Sequence, residues 1–406
     1  MMYTMIMEIN NQEEVILVAL DSKYVYIQKS VFIALFENSH IYYKKDYNEA
    51  LKSNRIKFSR LEKLSREAGI PYSLFFAPIE KVEENIKNNN NIIFSGVADV
   101  PIAISSRGDI RVRDVNLIIK DIQKRQQFLT KKHPEATDNP LLNLRLQQDP
   151  ICISESVLNT LKIDMDKFRS YSSKELSYNY LISRLEDNNI LMSRSRIGAM
   201  PQTIKTGLNF SGFLVKHRKF PALFLHSKDE DKISDPSGRR IFTIFLLLAC
   251  IVNKKYAIVT YSQSVREPAQ NIEYLVAEEI LMPESMVCGA QIDNLNKIKE
   301  IADLFKVTPS MAAVRLRRLG IICKEIFDNL LNELELEWDE ARKQSKGLHC
   351  RSPKDPKRVI DYNGMFFTKE VIRLLKGGEL SIGDATRLLM FKKKRKDVIY
   401  KILEQI

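Results

Sequence analysis

Histidine and cysteine are the side chains best suited to metal binding or nucleophilic chemistry, and both are scattered through this 406-residue chain. No two histidines stand four residues apart, the spacing that places two imidazoles on one helical face and typifies a local zinc site. The absence of a CxxC pair argues against a cysteine zinc site and against a disulfide framework, so we expect reduced, mostly buried thiols. The residues concerned are His40, His133, His217, His226 and His349, with Cys152, Cys250, Cys288, Cys323 and Cys350.

Other catalytic signatures are missing from the sequence as well. It contains no Walker A motif, no GxGxxG after a strand, no GxSxG and no calcium loop of the D-x-D-x-D-G type. The acidic residues are distributed as ordinary helix-surface charges. A catalytic role would therefore require dispersed residues that only the fold could bring together.

Basic residues offer a different chemistry, contact with phosphates or with an acidic protein surface. The chain has 63 Lys and Arg against 51 Asp and Glu, a net charge of +12, and residues 346–406 alone have 15 against 7, a net +8. That end is suited to an acidic partner. Its densest run has no interleaved aromatic residue, so a solvated helix surface is the competing interpretation. The run comprises Lys392, Lys393, Lys394, Arg395 and Lys396.

Three further arginines, Arg315, Arg317 and Arg318, belong to a predicted pair of short helices. The second helix of the pair has Thr308 as its predicted N-cap and Pro309 at its first helical position. The spacing is that of a helix-turn-helix, which would allow the arginines to contact DNA. Short helix pairs are also common packing units, so the pattern leaves both interpretations open.

The composition is that of a globular protein, because hydrophobic residues are 44% and charged residues 28%. The length predicts two or three domains. The longest apolar stretch, "RRIFTIFLLLACIV" at Arg239–Val252, is shorter than a bilayer span and predicts a buried core helix. The start lacks the features of a signal peptide, so we expect a cytoplasmic protein without membrane contact.

The pattern of elements predicts an α+β, predominantly helical fold. Residues 1–130 are mainly helical after a strand-capable start, with an eroded helix-turn-helix as one interpretation, and a polar loop is expected at Asn88–Asn91. A Pro-containing polar stretch at Lys131–Pro140 is a predicted domain boundary. Residues 131–200 form a connecting helical region, 201–345 a domain with a small sheet from Phe213–Val215 and Ala222–Leu225, and 346–406 a basic helical region.

Four segments, taken in order, resemble the ImmA/IrrE family of zinc metallopeptidase-like proteins. "FSGFLVKHRKFPALFLH" is similar to the strand pair before the family's active-site helix, and "RRIFTIFLLLACIV" to that helix, usually "FTLxHELxH". "EYLVAEEILMP" is similar to "ANxFAAxLLMP", and "IADLFKVTPSMAAVRLRRLGI" to the helix pair that follows. The resemblance extends over about residues 58–403 and implies a zincin-type arrangement of small sheet and helices in residues 201–345.

The residues that would perform the family's chemistry are replaced. The resemblance places Leu246 and Cys250 at the two zinc-binding histidines, and Leu247 at the glutamate that accepts a proton from the bound water. It places Gln270, or Ile272 at the alternative offset, at the glutamate ligand of the next helix. An alkyl side chain neither coordinates zinc nor accepts a proton. We therefore expect no catalytic residue, no metal and no cofactor.

The resemblance implies a pseudo-peptidase that retains the fold for binding another protein. Such proteins accompany repressors, toxins and defence genes, which implies an antitoxin-like or regulatory role in a mobile-element, toxin–antitoxin or phage-defence system. The implied partner is a toxin, nuclease or repressor encoded nearby, and nucleic acid would be bound directly or through that partner. The alternatives are a DNA-binding regulator, an active hydrolase with an unrecognised site, and a rearranged metal site that uses Cys250 with Glu273.

Overall fold

The chain forms two compact units, which we describe separately. A computed structural model describes residues 15–21, 23–93, 112–144, 149–205, 208, 210–226, 236–255, 258–259, 271–289, 292, 294–344, 355–389 and 396–404. The first unit comprises Met1–Val100, Asp109–Ile122 and Pro201–Leu208. The second comprises Pro101–Gly108, Gln123–Met200 and Asn209–Ile406.

The first unit is a three-stranded sheet of order β2-β1-β3 with helices on one face. β1 and β2 form an antiparallel hairpin, and β3 pairs in parallel with β1. The hairpin turn includes Asp21, whose φ of 44° lies in the left-handed region that tight hairpin turns require. The elements are β1 Val15–Leu20, β2 Lys23–Gln28, α1 Lys29–Glu37, α2 Lys45–Ser53, β3 Arg55–Lys57, α3 Phe58–Ala68, α4 Ile79–Ile93 and residues 116–122 of α5 Asn116–Lys132.

Local patterns account for most of these helices. The side chains of Leu61, Leu64 and Ala68, one turn apart on α3, are all buried, and Gly69 ends the helix with a φ of 67°. The predicted polar loop at Asn88–Asn91 is wrong, because α4 continues through these residues. Asparagine is a weak helix former, but Val82 in the core holds this helix, and tertiary packing overrides propensity.

The second unit contains a four-stranded mixed sheet of order β4-β6-β5-β7 and is otherwise mainly helical. β4 is parallel to β6, and β5 is antiparallel to both β6 and β7. Its strands are β4 Leu191–Arg194, β5 Gly212–Val215, β6 Ala222–Leu225 and β7 Ile258–Val259. Its helices, after the end of α5, are α6 Pro150–Leu161, α7 Met165–Ser170, α8 Lys174–Asp187, α9 Ser237–Val252, α10 Ile272–Leu281, α11 Glu284–Val287, α12 Leu295–Leu304, α13 Pro309–Arg318, α14 Lys324–Gln344, α15 Asp355–Asn363, α16 Met365–Lys376, α17 Ile382–Leu389 and α18 Lys396–Leu403.

The predicted α+β, predominantly helical class is confirmed, as are the two strands of the small sheet at β5 and β6. The core of the second unit is centred on α9, which packs against α6, α8 and α10 as well as β5 and β6. Every residue of α9 from Thr243 to Val252 is buried, so the prediction of a core helix is confirmed. Within the described residues, no helix is both long enough and apolar enough to span a bilayer.

The C-terminal helices pack on the β4 edge of the sheet. Asp361 of α15 is buried and accepts hydrogen bonds from Arg194 and from Nε of Arg196, the latter at 2.8 Å. The hydroxyl of Ser193 donates to the main-chain oxygen of Tyr362 at 2.5 Å. These buried polar contacts join the C-terminal helices to the sheet and cover a strand edge that would otherwise expose its backbone.

The predicted boundary at Lys131–Pro140 lies inside the second unit. α5 continues to Lys132, and Gln126 donates to the main-chain oxygens of Val215 and Phe220 at 3.2 and 2.9 Å. Asn139 likewise donates to the oxygen of Asn188 at 2.9 Å. The regions predicted as 131–200, 201–345 and 346–406 therefore share one unit, apart from residues 201–208.

The described cysteines are free thiols, as expected, but the prediction that they are mostly buried is wrong. Cys250 alone of the four is buried, whereas Cys152, Cys288 and Cys323 are exposed. The fifth, Cys350, lies outside the described residues. The three exposed cysteines lie near helix termini, where the local sequence does not dictate burial.

Candidate functional site

The positions that the family resemblance assigns to zinc chemistry lie on α9. The side chains of Leu246, Leu247 and Cys250 are fully buried within the core of the second unit. The leucines present only methyl and methylene groups, so the assigned first histidine and general base are replaced by packing. Burial, reinforced by the negative charge of Glu273, raises the pKa of the Cys250 thiol. Zinc binds the thiolate, so metal binding at Cys250 would have to displace the thiol proton.

A polar bridge joins the end of α9 to the start of α10. Glu273, in the first turn of α10, is fully buried, and its Oε1 accepts from Nδ2 of Asn253 at 2.8 Å. Nζ of Lys255 lies 2.6 Å from the same oxygen. Asn253 ends α9, and Lys255 follows two residues later with its side chain 55% exposed. The bridge therefore holds a buried carboxylate against a partly solvated cation.

Glu273 is the candidate residue that the sequence indicates least clearly, and the structure distinguishes it by its burial and its contacts. Its second oxygen, Oε2, is buried and has no hydrogen-bond partner within the described part of the chain. The sequence signal was its position, within a turn of the assigned ligand Gln270. Gln270 itself lies outside the described residues.

The described residues at this place do not by themselves fit a zinc ion. Cys250 and Glu273 are the two donors that the described structure brings near one another, and the lysine ammonium already occupies one carboxylate oxygen. Within the described residues, no group of three or more His, Cys, Asp and Glu side chains is arranged to hold a metal. A catalytic zinc site requires three protein ligands and an open position.

The predicted helix pair is confirmed as α12 and α13, with the hydroxyl of Thr308 accepting from the main-chain nitrogen of Met311 at 3.2 Å. Two of its three arginines, Arg315 and Arg318, have intramolecular partners. Arg315 is buried, donates through Nε to the oxygen of Met282 at 3.1 Å, and pairs with Glu279. The guanidinium of Arg315 is therefore directed into the protein.

Arg318 makes a second pair with α10. Its Nε and Nη2 donate to the two carboxylate oxygens of Glu278, at 2.7 and 3.3 Å. Glu278 is buried, and Arg315 Nη1 lies 3.9 Å from its Oε2. Burial raises the pKa of Glu278, while the arginines oppose that effect. The two glutamates stand in the apolar segment "LVAEEILMP", a buried-charge signal that sequence analysis alone did not connect to the arginines.

The remaining predicted contact residues are only partly described. Arg317 is half-buried on α13, between the two paired arginines. Lys392, Lys393, Lys394 and Arg395 lie outside the described residues, and Lys396 is described only as the first residue of α18. Nucleic-acid or partner contact by these residues stays a prediction.

Comparison with known proteins identified no relative: no protein-family model, no curated protein sequence and no solved structure matches the chain.

Proposed function

We propose that this protein is a catalytically inactive, ImmA/IrrE-like pseudo-peptidase that acts by binding another protein. The observation that supports this proposal is the chemistry of α9 and α10. Leu246 and Leu247 supply no donor, and the buried carboxylate of Glu273 is joined to Lys255 and Asn253. The polar group that the described part of these two helices offers is thus held by other protein groups, which supports a role without metal chemistry.

The proposed role is that of an antitoxin-like or regulatory component of a mobile-element, toxin–antitoxin or phage-defence system. The proposed partner is a toxin, a nuclease or a repressor encoded nearby. The net charge of +8 in residues 346–406 supports a partner with an acidic surface, or a partner that itself holds nucleic acid.

Coexpression tests the binding role directly. The full chain, with an affinity tag, is expressed with the product of each neighbouring gene in turn, and the complexes are separated by gel filtration. We expect one product to copurify in fixed stoichiometry, in a complex that weakens as the salt concentration rises. Failure of every neighbour to form such a complex would contradict the binding role.

A separate measurement tests the absence of catalysis. Each partner is incubated with the protein in added zinc and, in parallel, in a metal chelator, and fragments are sought by mass spectrometry. We expect an intact partner under both conditions. Zinc-dependent cleavage that disappears in the Glu273→Gln variant but persists in the Glu279→Gln variant would show an active site and overturn the pseudo-peptidase assignment.

The alternative of a DNA-reading α13 has less support. A recognition helix must present its basic side chains to the groove. Arg315 and Arg318 instead donate to Met282, Glu279 and Glu278 of the same unit. Releasing them would leave the acidic partners buried without their counter-charges, which is strongly unfavourable.

A further inference from the structure

The sheet of the first unit has two faces of different chemistry. On the inner face, Ile16, Val18, Ile27 and Ile56 are buried in one core with α1, α3 and the 3-10 turn Tyr72–Phe76. The strand register places the alternate residues together on the outer face, since neighbouring residues across a ladder point to the same side. The outer face therefore consists of the strand residues that alternate with these core residues and lie outside the core.

Two exposed tyrosines dominate this outer face. Tyr24 and Tyr26 of β2 lie opposite Ala19 and Leu17 of β1, and their side chains are 51% and 63% exposed. The tyrosines are two residues apart, so their Cα atoms are separated by about 6.8 Å along the strand. Large exposed aromatic residues at alternate positions of one strand are unusual for a face that only meets water.

Two cations lie on the same face, across the central strand. Arg55 and Lys57 of β3 are exposed and pair in register with Leu17 and Ala19. The guanidinium carbon of Arg55 lies 5.3 Å from the centroid of the Tyr24 ring, and its Nη2 donates to the tyrosine hydroxyl at 3.4 Å. The cation thus holds one aromatic ring in place and leaves further donors available.

Among the described strand residues, the charged side chains on the outer face are both positive. The side chains that the register places there are Val15, Leu17, Ala19, Tyr24, Tyr26, Gln28, Arg55 and Lys57, two of them cationic and none acidic. A protein-binding surface commonly mixes both signs of charge around an apolar centre. Aromatic rings with flanking cations match a polyanion that also presents flat rings.

We infer that this outer face binds single-stranded nucleic acid. Bases stack on Tyr24 and Tyr26, and the adjoining phosphates contact Arg55 and Lys57. The spacing of the two rings is about twice the rise of about 3.4 Å per nucleotide in a duplex strand, so the bound strand must be extended with its bases unstacked. This inference is independent of the proposed pseudo-peptidase role, which concerns the second unit.

Fluorescence anisotropy of the full chain tests the inference. The probes are labelled poly(U) and poly(dT) of about 12 nucleotides, with a labelled duplex of the same length, at about 50 and 200 mM salt. The variants are Tyr24→Thr and Tyr26→Thr, because threonine retains high β-propensity while removing the ring. Tyr72→Thr is the matched control, since Tyr72 is 53% exposed but belongs to the helical layer. Circular dichroism verifies that each variant is folded.

We expect single strands to bind more tightly than the duplex, and each sheet variant to weaken binding by about 5- to 100-fold while the Tyr72 control does not. We expect Lys57→Gln, at an exposed position whose side chain makes no helix-cap hydrogen bond, to weaken binding and reduce the salt slope by about one. Undiminished binding by both tyrosine variants, preference for the duplex, or no binding at low salt would each overturn the inference. The same variants remaining bound to a copurified protein would leave the pseudo-peptidase proposal intact.

Discussion

Placing two histidines on α9 tests whether this helix and α10 have the geometry of a zinc site. Leu246 and Cys250 are four residues apart and so share one face of the helix. Asn253, three residues after Cys250, donates to Oε1 of Glu273 at 2.8 Å, so this carboxylate lies close to the end of the same helix. The double variant Leu246→His, Cys250→His would thus present two imidazoles and one carboxylate, the ligand set of a catalytic zinc site.

The expected free energies follow from burial. Both replaced side chains are fully buried, and a buried polar group without a partner costs about 1–3 kcal/mol, so two imidazoles destabilise the metal-free variant by about 2–6 kcal/mol. That is a large part of a typical stability of about 5–15 kcal/mol. Zinc that binds only the folded variant at about 100 times its Kd returns about 2.7 kcal/mol.

Thermal unfolding with and without zinc measures these effects. We expect a lower Tm for the metal-free variant and a marked rise in Tm with zinc. The matched control is Leu248→His, Cys250→His, because Leu248 is equally buried but two residues from Cys250, on a different face. If zinc raises the Tm of neither variant, or raises both equally, the side chains of Leu246, Cys250 and Glu273 do not converge and the zincin-like interpretation of these helices fails.

Three further outcomes are expected from the second unit. Glu186 accepts a hydrogen bond from the main-chain nitrogen at the start of α16, and burial raises its pKa from 4.5 to about 7. The folded protein then retains a proton that the unfolded chain loses, so the free energy of unfolding falls by about 3 kcal/mol as the pH rises from 4.5 to 7. Urea titrations should find this pH dependence absent in Glu186→Gln. Arg318→Gln leaves the buried carboxylate of Glu278 without its main counter-charge and should lower the free energy of unfolding in urea by about 3–5 kcal/mol. Arg317 is half-buried, and Arg317→Gln should change that free energy by no more than about 0.5 kcal/mol. Equal effects of the two variants would contradict the pairing. Gly364→Ala should lower the Tm and cost about 1–3 kcal/mol or more, because φ is 80° and a Cβ would lie 2.5 Å from the main-chain oxygen of Met192; an unchanged Tm would show that the close approach is absent.

The elements of this protein were largely predictable from local patterns. The all-round apolarity of "FTIFLLLACIV" predicted the buried helix α9, and Thr308 with Pro309 predicted the start of α13. Such features depend on neighbours within one or two turns, which the sequence displays directly. The asparagine run at Asn88–Asn91 was the exception, since its local preference for a loop was overridden by packing of α4.

The assignment of partners required the tertiary structure. The sequence does not distinguish an arginine that contacts DNA from one that pairs within the protein. Arg315 and Arg318 pair with Glu279 and Glu278, which lie 36 and 40 residues away along the chain. The bridge from Glu273 to the end of α9 spans a segment of about twenty residues and has no local signature.

The sequence by itself determined the strongly patterned elements, such as α9 and α13, and which residues are apolar enough to form a core, because amphipathicity is set by spacing along the chain. It also determined that Leu246 and Leu247 supply no donor. Only the tertiary structure decided that Arg315 and Arg318 of α13 pair internally, and that Tyr24, Tyr26, Arg55 and Lys57 share one face. The physical reason is that charge pairing and surface composition depend on distances in space between residues far apart in sequence.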